Sequence, residues 1–257
     1  MYAVNKLGEG TYQFFTVKKA VFGSRSKFQD IWICVLEDFG KSLFLDQELQ
    51  STEADHEIFH SALTGPVLGA KPDARSLLII GSGEGVAARN ALRANIPEVI
   101  MVDIDPEVVE ACKRYLPEFH GGALSSPQLK LVYSDGLEYL ARCEKKFDMI
   151  IVDATDPERS GVSNSLYSEM FYHHAKRALT ESGVFVTQAG SAWYRRRVFE
   201  GVGEKISSSF EFVRPYEVLV TSFGSRWGFY VATNNRDSAE KVEDVIIKSG
   251  YERKGVT

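Results

Sequence analysis

The spacing of apolar residues changes character near residue 55. From residue 17 to residue 48, short bursts of apolar and polar residues alternate, with a turn at residues 38–40 between two of them. This alternation is typical of antiparallel strands that have one solvent-exposed face. After residue 55, apolar residues first recur at helical spacing and then form short continuous runs separated by helical segments, which is typical of βαβ units. The pattern predicts an antiparallel β module over residues 1–54 and an α/β domain over residues 55–257.

Helical and extended segments alternate regularly in the predicted α/β domain, and we expect no helix before residue 55. Helices are predicted over residues 55–68, 86–95, 106–115, 136–143, 168–178, 194–207 and 238–249. Strands are predicted over residues 77–80, 98–102, 129–133, 148–153, 183–188, 212–221 and 228–233. This order predicts a Rossmann-like, methyltransferase-type sheet that is mostly parallel and is flanked by helices.

The first strand of the predicted sheet consists of four large apolar residues and ends in a glycine-rich loop. The loop reads Gly81-Ser82-Gly83-Glu84-Gly85. Glycines at these positions let the backbone approach a ligand closely at a helix N-terminus, although an ordinary tight turn would also explain them. Glu84 is the unusual member, because it places a carboxylate where such a loop would elsewhere cradle an anion.

Most of the predicted strands end in acidic residues, and ligands of open α/β sheets bind beyond the carboxyl ends of the strands. Asp103 ends the second strand, about twenty residues after the glycine loop, where an acid accepts the ribose hydroxyls of a nucleoside. Asp105 precedes Pro106 and is expected to cap the next helix. Asp135 follows the third strand, and it could either accept the amino group of an adenine or cap the helix that begins after it.

Two further carboxylates, Asp153 and Asp156, stand at the end of the buried strand over residues 148–153. A pair of acids at a strand end is suited to acid–base chemistry or to metal binding. No histidine stands nearby in the sequence, so we expect no metal here, while Asp156 could instead begin a turn with Pro157. The interpretation that we favour is that the pair holds an amine and stabilises the ammonium that develops when this amine attacks a carbon atom.

Composition narrows the ligand class and the location. The chain has 257 residues and a formal net charge of −5, which argues against nucleic-acid binding and suits a cationic ligand. We find neither an apolar run of about 18 residues nor a signal peptide, so we expect no membrane contact and a cytoplasmic protein. Cys34, Cys112 and Cys143 lack metal-ligand spacing and are expected to be reduced thiols.

Several motifs together resemble those of the polyamine aminopropyltransferases, the family of spermidine, spermine and thermospermine synthases. The Tyr-Gln pair with which this family contacts its donor has a counterpart in Phe28-Gln29, and the family's Leu-Asp-Gly segment has one in Leu45-Asp46-Gln47. The resemblance extends from Phe28 to Phe229 and includes Gln50-Ser51-Thr52-Glu53-Ala54-Asp55, the glycine loop, Asp153-Ala154-Thr155-Asp156-Pro157 and Val186-Thr187-Gln188-Ala189-Gly190.

The resemblance implies a reaction and a role for each matching residue. Such an enzyme moves the aminopropyl group of the co-substrate decarboxylated S-adenosylmethionine to a polyamine nitrogen and releases 5′-methylthioadenosine, without another cofactor or a metal. It implies that Asp153 is the base. The implied donor contacts are Gln29, Gly81, Gly83, Glu84, Asp103, Asp135 and Gly136. The implied acceptor contacts are Gln50, Phe59, His60, Asp156, Gln188 and Trp227. It also implies a homodimer or homotetramer formed partly through the N-terminal strands.

The sequence departs from the spermidine synthase pattern in two places. The first predicted helix carries Phe59-His60-Ser61 where spermidine synthases carry Tyr-Gln/His-Glu, and residues 222–229 are closer to thermospermine synthases. These departures favour spermidine as the acceptor, giving thermospermine or spermine, over conversion of putrescine to spermidine. The alternatives are a methyltransferase using ordinary S-adenosylmethionine and a non-catalytic polyamine- or nucleoside-binding protein. Glu84 argues against the methyltransferase because it would repel the carboxylate of ordinary S-adenosylmethionine.

Overall fold

The N-terminal part of the chain forms a five-stranded antiparallel sheet in which strands that are consecutive in sequence are neighbours in space. It belongs to a computed structural model that describes residues 1–156 and 163–253, and Pro157 of the acidic motif lies outside these residues. The strands are β1 (Tyr2–Gly8), β2 (Thr11–Arg25), β3 (Asp30–Leu36), β4 (Gly40–Leu45) and β5 (Glu48–Thr52). The predicted hairpin is formed by β3 and β4. Strand β1 and the first part of β2 lie within the predicted β module but before residue 17, where no individual strand was predicted.

The remainder of the described chain contains a second, mostly parallel sheet, as predicted. Its strands are β6 (Ser76–Gly81), β7 (Glu98–Asp103), β8 (Leu129–Tyr133), β9 (Phe147–Asp153), β10 (Leu179–Ser191), β11 (Phe212–Val220), β12 (Ser225–Thr233) and β13 (Glu252–Arg253). They lie in the spatial order β13-β11-β12-β10-β9-β6-β7-β8. The strands from β10 to β8 pair in parallel, and β12 runs antiparallel to β10 and β11.

Helices connect the strands of the second sheet and cover both of its faces. They are α1 (His56–Ala70), α2 (Val86–Arg93), α3 (Pro106–Tyr115), α4 (Pro117–His120), α5 (Gly136–Arg142), α6 (Glu169–Ala178), α7 (Arg196–Ser207) and α8 (Arg236–Lys248). Every predicted helix is present, with ends shifted by at most two residues. The short helix α4 and the 3-10 turns at Ala123–Ser125 and Asn164–Tyr167 were not predicted, because three or four residues are too few to show a period.

Strand β6 is central and buried on both faces, as its apolar sequence predicts. Leu77, Leu78, Ile79 and Ile80 are each at most 2% exposed. Leu77 and Ile79 pack with the apolar residues of α1 and α2, whereas Leu78 and Ile80 pack with those of α6 on the opposite face. Because β6 pairs in parallel with both β7 and β9, the carboxyl ends of these three strands lie side by side at one edge of the sheet.

Asp55 joins the two sheets. Its carboxylate accepts hydrogen bonds from the Ser222 backbone N and Oγ, both at 2.7 Å, and from Thr52 Oγ1 at 2.8 Å. Asp55 is buried, so these bonds replace the water that its carboxylate loses on folding. The contact holds the last strand of the N-terminal sheet and the start of α1 against the loop before β12.

Candidate active site

The carboxyl ends of the parallel strands and the N-terminal sheet line an open cleft. Its volume is about 1260 Å³ when the adjoining solvent space is included. It brings together all but one of the residues singled out from the sequence: Gln29, Gln50, Phe59, Gly81, Gly83, Glu84, Asp103, Asp135, Gly136, Asp153, Asp156, Gln188 and Trp227. His60 is the exception.

The glycines of the loop after β6 are required by contacts within the protein. Gly81 has a φ of +83°, and a Cβ there would lie 2.1 Å from the carbonyl oxygen of Asp153. A Cβ at Gly83 would lie 2.7 Å from Val108 and 3.2 Å from Asp103 Oδ2. These close approaches let the loop pass between the ends of β7 and β9, and they set Glu84 beside Asp153. From the sequence we explained these glycines by the close approach of a ligand. The packing contacts that also require glycine there were not predicted.

His60 lies behind the wall of the cleft, between Glu84 and Asp153. Its Nε2 is 3.0 Å from Glu84 Oε1 and 3.4 Å from Asp153 Oδ2. Neither contact is aligned as a hydrogen bond, and within the described residues Nε2 and Asp153 Oδ2 are buried without a hydrogen-bond partner. Nδ1 contacts the carbonyl oxygen of His56 at 2.7 Å. A carbonyl only accepts, so Nδ1 is the donor and carries a proton.

The two carboxylates make His60 a cation. Burial opposes the charge, but the neighbouring Asp153 and Glu84 outweigh burial and raise the pKa of His60 from 6.5 to about 10. His56 lies one turn earlier, and burial together with the charge of His60 lowers its pKa to about 4. The chain itself therefore places one positive charge between two negative charges, at the point where the sequence predicts that amines bind.

Asp105 has the capping role expected from the sequence, and Asp103 lies at the cleft. Asp105 caps α3 by accepting a hydrogen bond from the Glu107 backbone N at 3.0 Å. Asp103 caps no helix: its Oδ1 accepts from the Asp105 backbone N at 2.9 Å, and it lines the cleft. Burial raises the pKa of Asp103 to about 6, although the hydrogen bond from Asp105 opposes this.

Asp105 also orients Gln29 across the gap between the two sheets. Its Oδ2 accepts hydrogen bonds from Gln29 Nε2 at 3.0 Å and from Ser26 Oγ at 2.6 Å. Because the amide nitrogen of Gln29 donates to this carboxylate, the amide oxygen is the end that remains for a ligand. Gln29 is thus held as an acceptor on the same side of the cleft as Asp103.

Asp135 has the capping role, which was one of the two alternatives left open by the sequence, and it also lines the cleft. Its Oδ1 accepts a hydrogen bond from the Glu138 backbone N at 3.0 Å and so caps α5, while the residue also lines the cleft. Gly136 follows it, and a Cβ there would lie 2.5 Å from Ile80. The start of α5 is therefore pressed against the end of β6, which brings Asp135 towards Asp103.

The structure adds a buried cation that the sequence did not single out. Arg195 is 8% exposed and lines the cleft, with NH1 3.9 Å from Asp156 Oδ2 and Nε 3.4 Å from the carbonyl oxygen of Leu7. In the sequence it is one of three consecutive arginines at the start of α7. Such a run usually marks a solvated helix face, and only the packing of β1 onto this turn distinguishes Arg195 from Arg196 and Arg197.

Gln188 is fully engaged with the protein. Its Nε2 donates to the carbonyl oxygen of Ala154 at 2.6 Å and to Tyr167 Oη at 2.8 Å, and its Oε1 accepts from Gly190 N at 2.8 Å and Trp227 Nε1 at 3.1 Å. These four bonds use the whole capacity of the amide. Gln188 therefore shapes the wall of the cleft, because it fixes the indole of Trp227 and the segment that follows Asp153.

Helix α1 presents an apolar surface to the cleft. Phe59 lines it and packs against Phe223 and Phe229, with ring centroids 5.8 Å and 5.4 Å away. Ser61 lies exposed elsewhere on the helix. On β5, Gln50 is held by a hydrogen bond from its Nε2 to the carbonyl oxygen of Glu48 at 3.1 Å. Carboxylates that could bind an amine acceptor in the cleft therefore come from elements other than α1.

The described residues contain no group of three acidic, histidine or cysteine side chains arranged to hold a metal ion. Over the same part of the chain, no helix is both long enough and apolar enough to cross a membrane. Cys34 and Cys112 are buried, Cys143 is half-buried, and all three are unpaired. Carboxylates, amides, aromatic rings and the cations Lys6 and Arg195 line the cleft, and His60 lies behind its wall.

Two family models match the chain. The spermine/spermidine synthase domain matches residues 56–243, and the spermidine synthase tetramerisation domain matches residues 4–53. Polyamine aminopropyltransferase 2 of Hyperthermus butylicus is 39% identical over 243 residues, which cover 93% of this chain and 80% of that protein. A polyamine aminopropyltransferase of Pyrobaculum arsenaticum is 33% identical over 262 residues, which cover 99% of this chain and 91% of that protein.

Solved structures resemble the fold along almost the whole chain. A spermidine synthase in complex with the transition-state analogue AdoDATO has a TM-score of 0.90 and 27% identity, with 99% of this chain and 87% of that chain covered. The spermidine synthase from Thermotoga maritima has a TM-score of 0.88 with the same identity and coverage. The similarity therefore includes the N-terminal sheet, the parallel sheet and the cleft between them.

Proposed function

This chain belongs to the spermine/spermidine synthase family of aminopropyltransferases, and on that basis we propose the substrates and the residue roles of its reaction. The donor is decarboxylated S-adenosylmethionine. The acceptor is spermidine in preference to putrescine, and the products are 5′-methylthioadenosine and thermospermine or spermine. Residues 1–54 close the cleft and serve assembly, residues 55–257 carry the donor site and the base, and the enzyme works in the cytoplasm.

The observation that carries the proposal is the position of Glu84, on the cleft and beside Asp153. A carboxylate there attracts the free ammonium of the decarboxylated donor and repels the carboxylate that ordinary S-adenosylmethionine retains. Asp103 and the amide oxygen of Gln29 accept from the ribose, and Asp135 accepts from the adenine amino group. This orientation directs the aminopropyl chain towards Asp153.

Asp153 and Asp156 serve the attacking amine. An aliphatic amine has a pKa near that of Lys, about 10.4, so its neutral form costs about 4 kcal/mol at a pH about three units lower. Asp153 takes the amine proton as the C–N bond forms and stabilises the positive charge that develops. Asp156 holds the acceptor in line with the C–S bond that breaks, and this alignment supplies a further part of the rate enhancement.

The lining of the cleft supports an acceptor longer than putrescine. Helix α1 contributes the apolar ring of Phe59, and its Ser61 lies away from the cleft. Glu48 brings a carboxylate to the cleft from the N-terminal sheet. We propose that the further ammonium of a triamine binds Glu48 while another of its nitrogens lies at Asp156.

A panel of di- and triamines tests this proposal. We expect the highest kcat/KM with spermidine, measured as release of 5′-methylthioadenosine from the decarboxylated donor by liquid chromatography and mass spectrometry. Higher kcat/KM with putrescine would overturn the acceptor assignment but leave aminopropyl transfer intact. If no amine released methylthioadenosine, the chain would be a binding protein; S-adenosylhomocysteine formed from ordinary S-adenosylmethionine would identify a methyltransferase.

We further propose that the outer face of β1 and β2 is an assembly surface between copies of this chain. Tyr2, Val4, Tyr12 and Phe14 are 70%, 42%, 51% and 69% exposed, and Val4 pairs directly with Phe14 in the sheet. Together they form a contiguous apolar surface of the kind that marks a protein interface. The match of residues 4–53 to a tetramerisation domain supports a second copy as the occupant.

Substitution Phe14→Glu is therefore expected to dissociate the oligomer without unfolding the subunit, because the charge would be buried against an apolar partner surface. Light scattering coupled to size-exclusion chromatography measures the mass. The matched control is Ile247→Glu, since Ile247 is 52% exposed but lies on α8. If Phe14→Glu left the oligomer intact, or if the wild type were a monomer, the outer face of β1 and β2 would not be an assembly surface.

A further inference from the structure

We propose that His60 is the final proton acceptor of the reaction, that it acts through Asp153, and that binding of the donor prepares it by displacing the proton from its Nε2. This inference rests on the proposed function and adds a role for a residue that does not line the cleft. His60 is a positioning and proton-storing residue, since it contacts the two carboxylates and not the substrates.

The geometry restricts proton exchange to one atom of His60. Nδ1 is committed as a donor to the carbonyl oxygen of His56, so only Nε2 can gain or lose a proton. The imidazole is 1% exposed, and Nε2 lies within 3.4 Å of both Glu84 and Asp153. Nε2 and Asp153 Oδ2 are both buried without a hydrogen-bond partner in the described residues. The two atoms between which the proton would move are therefore 3.4 Å apart and uncommitted to another hydrogen bond in the described residues, and transfer requires them to turn into line.

The charge of His60 depends on these two carboxylates. Among residues 1–156 and 163–253, they are the only acidic side chains within ion-pair distance of its imidazole: Glu84 from the loop after β6 and Asp153 from the end of β9. On α1 itself, His56 lies 6.2 Å away between ring centroids and is neutral at pH 7 because burial lowers its pKa. Arg89 of α2 pairs with Glu57 at 2.7 Å. His60 thus keeps its proton only as long as Glu84 and Asp153 remain uncompensated.

Binding of the donor changes that balance. The ammonium of the donor, seated on Glu84, brings a second cation next to the imidazolium, and like charges at such a distance disfavour the protonated form. The donor also carries a sulfonium whose charge cannot be lost, so its two positive charges compensate both carboxylates and His60 is the cation that can give up its charge. Nε2 therefore gives up its proton to solvent, and neutral His60 keeps a lone pair on Nε2, 3.4 Å from Asp153 Oδ2.

The transfer step then returns a proton to His60. The acceptor nitrogen, neutral after losing one proton to solvent on binding, forms a bond to the aminopropyl carbon, the C–S bond breaks, and its electron pair stays on sulfur in methylthioadenosine. The proton of the new ammonium passes to Asp153 and from Asp153 Oδ2 to Nε2, 3.4 Å away. One proton is released when the donor binds and one is taken up in the transfer, so Asp153 and His60 end the cycle as they began it.

Calorimetric titration of the whole protein with decarboxylated S-adenosylmethionine measures the first step. Titrations at pH 8 in phosphate and in Tris, which differ in ionisation enthalpy, give the number of protons released. We expect about one proton per donor for the wild type and an affinity that rises about tenfold per pH unit near pH 8. At this pH Asp103, with a pKa of about 6, is already ionised and contributes nothing.

His60→Gln is expected to bind the donor with release of almost no proton, and its kcat is expected to fall about 10²-fold with loss of the acid limb of the kcat–pH profile. His173→Gln is the matched control, because His173 is exposed on α6, and its proton count should equal that of the wild type. A change of packing alone would not alter the proton count.

Two results would overturn the inference: binding of the donor to wild type without proton release, or the same release from His60→Gln. The number of protons that the wild type releases on donor binding decides the first of these results even if His60→Gln does not fold. Absence of donor binding to the wild type would instead contradict the proposed function itself.

Discussion

Asp153→Asn is expected to bind the decarboxylated donor close to wild-type affinity while its kcat falls by about 10²- to 10⁴-fold, the usual contribution of a positioned general base. The amide retains the shape of the carboxylate but cannot take the proton of the attacking amine. The backbone carbonyl of Asp153, which accepts from Ser82 N at 2.7 Å, is unchanged. The glycine loop and Glu84 should therefore stay in place, which separates loss of the base from loss of the donor site.

The effect of Asp153→Asn is measured by calorimetry for donor affinity and by methylthioadenosine release for turnover. Asp73→Asn removes the same charge from an exposed position before β6 and serves as the matched control. Unchanged turnover of Asp153→Asn would remove this residue from the mechanism. A parallel loss of donor affinity and turnover would instead assign it to the donor site.

Glu84→Gln is expected to lose the preference for the decarboxylated donor. Removing one partner of a buried charge pair costs about 2 kcal/mol or more, which corresponds to about thirtyfold weaker binding of the decarboxylated donor. Ordinary S-adenosylmethionine should bind better than it does to the wild type, because the amide no longer repels its carboxylate. The two affinities are thus expected to move in opposite directions, which no general loosening of the fold would produce.

Calorimetry with both donors measures this reversal, and methylthioadenosine release measures its effect on turnover. Glu110→Gln, at an exposed position of α3, is the matched control and should leave both affinities unchanged. If Glu84→Gln kept the wild-type ratio of the two affinities, donor selection would reside in another residue.

The order of helices and strands in the second domain could be predicted from sequence because its signals are local. A continuous apolar run such as residues 77–80 and helical spacing in the following segment determine each element by itself. Parallel topology then brings the strand ends together, so Asp103, Asp135 and Asp153 could be grouped without knowledge of any contact. The capping role of Asp105 was also local, because it depends on the residues that follow it.

Contacts between segments that are distant in the sequence could not be predicted from the sequence. His60, Glu84 and Asp153 come from α1, a loop and β9, and only their packing shows that the histidine is a cation between two acids. Arg195 is distinguished from its neighbours by burial under β1, a strand that the analysis of alternation did not include. The engagement of all four hydrogen-bonding sites of Gln188 likewise depends on Tyr167 and Trp227, which lie 21 and 39 residues away.

The most direct test of the account is a product analysis of the purified wild-type protein with spermidine and either form of the donor. With decarboxylated S-adenosylmethionine we predict equal amounts of 5′-methylthioadenosine and of spermidine extended by one aminopropyl group. With ordinary S-adenosylmethionine we predict no product. Formation of S-adenosylhomocysteine from ordinary S-adenosylmethionine, or absence of methylthioadenosine with every amine offered, would contradict the account.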